Sequence, residues 1–258
     1  MFLSKRDILR FFVEFEKAIY LEAAPQVMDR EIKDVTGLLK ILEGYSGTEL
    51  KFHDIDLSKD FEIPEGVSLD TTPADIASYI LNFGNHAEIY INSMENGRKK
   101  RVVNKCNTRF LIVKEALHVI LRDEFETRKE KNPNYDGHPD ANSPELICTA
   151  IEDIVFLPVS IFDLDNEDYP PALRIENYAE LLAMMLLYPM NLIAIDRQYL
   201  LSEAGVDDYR TETAQLASTL DYAERYKVPQ RYVNLIFRWS GFEEFYSLYC
   251  QARDGYLR

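Results

Sequence analysis

Within the apolar stretch RFLIVKEALHVIL, Arg109 to Leu121, three polar side chains stand close together: Lys114, Glu115 and His118. Residues four apart on a helix share a face, about 5–6 Å from one another, so two histidines at that spacing can hold one zinc ion. A glutamate directly after the first histidine then faces the metal-bound water and can act as its general base. Here Glu115 fills the base position and His118 the second ligand position of such an H-E-x-x-H helix. The first ligand position holds Lys114, whose protonated amine offers three donors and no lone pair to a cation. Taken alone, a Glu-x-x-His fragment is more often a helix with an ion-paired glutamate and a hydrogen-bonded histidine.

The elements that must position this cluster follow from the apolar pattern. Apolar residues make up 47% of the 258, enough for a substantial core. Ile8, Phe11, Phe12, Phe15 and Ile19 recur at helical spacing and predict a helix from residue 5 to about 28. Ile32, Val35, Leu38, Leu39 and Leu42 predict a second helix from Arg30 to Glu43, stopped by Gly44. Thr48 to Leu57 alternates as a strand. In TPADIASYILNFG, Thr72 as N-cap, Pro73 at the first helical position and Gly84 at the end predict a third helix. Ala87 to Asn92 is a short strand, with a turn at Asn96-Gly97.

The Lys114 helix is expected from about Cys106 to Glu126, followed by a polar loop containing Pro133 and Pro139. Ser143-Pro144 caps a helix running to about Phe156. Another runs from Leu173 to Tyr188 and ends at Pro189; its seven consecutive apolar residues, Leu181 to Leu187, bury its second half on all sides. From Asp196 onward the chain is helical, with a break at Val228-Pro229. The sum is an α+β chain, mainly helical, with a small sheet.

Charge and composition narrow the function. A net charge of −15 repels phosphate backbones and argues against nucleic-acid binding. Arg231, Arg238 and Lys227 lie on a helix–turn–helix-like segment, but the apolar density of Tyr232, Val233, Leu235, Ile236 and Phe237 suits core packing better. The basic cluster Arg98 to Arg101 with Lys105 and Arg109 reads as a solvated turn. The acidic run Asp163 to Asp168 lacks the glycine and glutamate of a calcium loop. Three scattered cysteines fit a reducing compartment rather than a disulfide scaffold. The N-terminus has no signal-peptide core, and no apolar run reaches the roughly 20 residues of a membrane span. The expectation is a cytoplasmic protein with no membrane association.

Three separated segments, in order, carry a resemblance. AEIYINSMENGRKKRVVNKCNTRFLIVKEALHVIL holds an Arg-Phe pair (Arg109, Phe110) shortly before the K-E-A-L-H block. ENYAELLAMMLLYP ends in a small-apolar run and a proline. LDYAERYKVPQRYVNLIF follows with an Ala, aromatic, Val and Arg pattern. Together they resemble the ImmA/IrrE family of metallopeptidase-like proteins over about residues 85 to 238. The resemblance implies one zincin-like domain over 1–258: N-terminal helices over 1–47, the core over 48–189 and a helical extension over 190–258.

It also implies site roles. Glu115 takes the general-base position and His118 a metal-ligand position, while Lys114 stands at the other histidine. The family's glutamate ligand falls on Tyr178, counted back from Pro189, with Glu176 and Glu180 two residues to either side. With two ligands replaced, hydrolysis is expected to be lost and no cofactor bound. The ammonium of Lys114 is expected to replace the zinc charge. Rescue of a zinc site would need His86, His138, Glu176 or Glu180; His53 is a further histidine without ligand spacing. The implied role is a regulatory module that binds a protein or peptide, such as a helix-turn-helix repressor, in phage, mobile-element or stress regulation. An active zinc endopeptidase with an atypical site is the alternative, and an interaction module unrelated to repressors the third reading.

Overall fold

The computed structural model describes residues 5–22, 35–55, 76–92, 105–129, 145–150, 171–208 and 212–255. The helices are α1 (Lys5–Glu22), α2 (Val35–Ser46), α3 (Lys105–Lys129), α4 (Pro171–Leu187), α5 (Met190–Asp208), α6 (Glu212–Tyr226), α7 (Gln230–Arg238) and α8 (Phe242–Arg253). The strands are β1 (Glu49–Ile55), β2 (Ile76–Asn82), β3 (His86–Asn92) and β4 (Glu145–Ala150). The chain is α+β and mainly helical, as its pattern predicts. It divides into two compact units, Val35–Val159 and Met1–Asp34 with Ser160–Arg258. α2 belongs to the unit that holds the sheet, and α4 to the unit that holds the later helices.

In the Val35–Val159 unit, a four-stranded mixed sheet has the order β1-β3-β2-β4. β1 runs parallel to β3, and β2 is antiparallel to both β3 and β4. Two predicted helices are corrected here. Residues 76–82 of TPADIASYILNFG form β2, and 145–150 form β4; Thr72, Pro73 and Ser143-Pro144 lie outside the described residues. β2 is a central strand buried on both faces, with Ile76 to Ile80 all buried. Such a strand reads as a continuous apolar run, which periodicity does not separate from a buried helix. Gly84 ends no helix: with φ +87° it opens the two-residue loop between β2 and β3, closed by the Phe83 N–H donating to the His86 carbonyl at 2.9 Å.

α2 also extends past its predicted stop. Gly44 lies within the helix, and the chain leaves it at Gly47, whose φ of +69° lets its N–H reach the Glu43 carbonyl at 2.8 Å. Glu43 then accepts the Leu50 N–H at 2.8 Å, tying the helix end to β1. α3 packs on β2, β3 and α2.

In the other unit, α1 packs on α8: Phe12 lies against Tyr249, whose hydroxyl donates to buried Glu16 at 2.7 Å. Leu181 to Leu187 of α4 are buried on every side, as seven apolar residues in a row require. α4 and α5 meet at an 80° bend around Pro189, earlier than the helical region predicted from Asp196. Among the described residues no single helix is long and apolar enough to cross a membrane; this bent pair passes on length and composition alone. α6 and α7 flank Lys227-Val228-Pro229, and α7 buries Tyr232, Val233, Ile236 and Phe237.

Arg197 on α5 holds the α7–α8 junction. Its guanidinium donates to the carbonyls of Phe237 (3.1 Å) and Trp239 (3.3 Å), pairs with Glu243, and lies 4.9 Å over the Phe242 ring. Arg197 is buried while the Glu243 side chain is 74% exposed. The carbonyl contacts therefore outweigh the ion pair. Urea unfolding should show a loss of about 2–4 kcal/mol for Arg197→Ala and less than about 1 kcal/mol for Glu243→Ala. Equal losses would contradict this ranking.

Candidate functional site

Every residue of α3 from Arg109 to Leu121 is buried, including the polar ones. Lys114 and Glu115 have 0% of their surface exposed and His118 2%. A carboxylate removed from water this completely must be met by charge or by hydrogen bonds, because an uncompensated one is strongly destabilising. Two such partners come from different elements. The Ser78 hydroxyl of β2 donates to Glu115 Oε1 at 2.6 Å, and Lys114 Nζ stands 3.5 Å from the same oxygen. His118 Nε2 lies 4.0 Å from Glu115 Oε2, too far for a hydrogen bond.

Ser78 is placed by the sheet. It pairs with Ile91 of β3, and opposite residues of neighbouring strands share a face, so Ser78 and Ile91 look the same way. An irregularity between Ile76 and Ser78 in the β2–β4 register sits directly beside it. The Asn92 side chain donates to the Ile76 carbonyl at 2.9 Å and closes the same corner of the hairpin.

The residues do not fit a divalent ion. Of the two ligand positions on α3 only His118 offers a lone pair, and Glu115 already accepts from Ser78 and stands beside Lys114. Among the described residues no group of three or more His, Cys, Asp or Glu side chains could hold a metal. His86 is partly exposed at the β2–β3 hairpin, stacked on Phe83 at 4.4 Å and bonded to Asn85 at 2.9 Å. His53 on β1 stacks on Tyr90 at 4.5 Å, with Nε2 3.9 Å from Glu88. His138 lies outside the described residues.

Tyr178, Glu176 and Glu180 all lie on α4, in the other compact unit. Asn177, Tyr178 and Glu180 are buried, while Glu176 is partly exposed. Glu180 bonds to Tyr232 of α7; burial, then the Glu180 charge, push the Tyr232 phenol well above its ordinary pKa, and Arg231 partly opposes this. The phenol therefore stays protonated and donates to Glu180. Sequence reasoning singles out Glu180 but neither its bond to Tyr232 nor Ser78. Ser78 was hidden by the helical reading of its segment, although a lone serine in the run IASYIL is itself an anomaly for a central strand.

No family model matches this chain, and neither a curated protein nor a solved structure matches it.

The contact between Lys114 and Glu115 is tested by a double-mutant cycle. Lys114→Met and Glu115→Gln should each cost roughly 3 kcal/mol or more, because each leaves a buried polar or charged partner uncompensated. Changing both should cost less than the sum by about 2 kcal/mol in chemical unfolding. Strict additivity would contradict the pairing.

Proposed function

We propose that this chain is a metallopeptidase-like protein of the ImmA/IrrE type, with a zincin-like arrangement of sheet and helix, that has lost hydrolysis and acts as a regulatory protein-binding module. The observation that carries the reading is a helix bearing the residues K-E-A-L-H, buried on every side, in which the general-base glutamate is ion-paired to a lysine at the first ligand position. A working general base must reach a water or a substrate; Glu115 is fully buried and already engaged by Ser78 and Lys114. A lone imidazole at His118 does not make a zinc centre. The partner is a protein or peptide, with a helix-turn-helix repressor as the leading candidate, and the setting is phage, mobile-element or stress regulation in the cytoplasm. Free thiols at Cys106 and Cys250 suit that reducing setting.

The test uses the products of neighbouring genes, a repressor among them, incubated with the purified full chain and followed by pull-down and electrophoresis. Capture of an intact partner is expected, with no fragments whether zinc or EDTA is added. Cleavage of the partner that EDTA abolishes would overturn the reading in favour of an active endopeptidase. Failure of every candidate to bind would overturn the repressor-directed role.

A further inference from the structure

Resting on the same reading of α3 as the proposed function, we infer that the Lys114 ammonium is the resident cation of this site: together with the Ser78 hydroxyl it neutralises Glu115 and closes the site to divalent metals. Three observations converge. The amine and the carboxylate are both fully buried, 3.5 Å apart. The same carboxylate oxygen takes a 2.6 Å hydrogen bond from a residue of another element, so the carboxylate is fixed rather than swinging toward His118. Lys114 and His118 are four residues apart on one helix, the spacing of a ligand pair, so the ammonium stands on the face that would bear the metal. A protonated amine there repels a cation and offers it no lone pair. The lysine therefore plays two parts, as internal counter-charge and as a bar to metal entry.

This predicts that removing the ammonium admits a metal: a histidine at position 114 would form an i, i+4 ligand pair with His118, enough to hold a cobalt ion whose other ligands are water. Cobalt(II), whose visible absorption reports its coordination geometry, is the probe. The wild-type chain is expected to show no saturable cobalt absorption and no change in its thermal unfolding with cobalt or EDTA. Lys114→His should gain saturable cobalt absorption, about one ion per chain, together with a cobalt-dependent rise in Tm. Adding His118→Ala to that variant should abolish both. If circular dichroism shows that Lys114→His does not fold, Lys114→Cys supplies a smaller ligand for the same readout. Saturable cobalt uptake by the wild-type chain would overturn the inference, and so would a folded Lys114→His or Lys114→Cys chain that takes up none. A variant that gains cobalt, beside a wild-type chain that binds no partner, would sustain this inference and remove the binding role. Partner capture by a wild-type chain that also takes up cobalt would do the reverse.

Discussion

A carboxylate with no exposed surface constrains everything around it. Glu115 sits in the middle of thirteen consecutive buried residues of α3, Arg109 to Leu121, where water cannot solvate it. Desolvating an isolated carboxylate is prohibitive, so the fold must bring charge and donors to it. The ammonium comes from the adjacent residue and the hydroxyl from a strand 37 positions earlier in the chain. The sheet is thus more than a floor for the helix. β2 must be central and in register with β3 for Ser78 to reach Glu115. The two-residue loop at Gly84 that sets this register belongs to the same requirement.

The same constraint separates a catalytic glutamate from a structural one. A general base needs a proton to abstract and a path for the substrate to reach it. Glu115 has instead been given a fixed cation and a hydrogen-bond donor, and both arrive without solvent. The Lys114 ammonium supplies the opposite charge that a packed helix carrying a buried carboxylate requires.

Much of this was legible in the residues. The helical spacing in α1 and α3, the all-round burial of Leu181 to Leu187 and the break at Val228-Pro229 all follow from apolar pattern and proline. The Lys114, Glu115 and His118 cluster was visible from spacing alone. Two segments were misread for one physical reason. IASYILN and ELICTA are short apolar runs without alternation, and what makes them strands is their pairing with each other and with β3, which no local signal carries. Gly84 reads as helix punctuation because turn residues serve hairpins and helix ends alike. That misreading hid Ser78, the group that completes the charge balance of the site. In α2, Gly44 was taken for the stop, yet the left-handed turn that ends the helix falls on Gly47.

Anomalous X-ray diffraction at the zinc absorption edge, from crystals grown with zinc present, tests the central claim most directly. The account predicts no anomalous density beside His118 Nε2 and the Lys114 ammonium within ion-pairing distance of Glu115. A strong peak on His118, with the Lys114 side chain turned away, would contradict it.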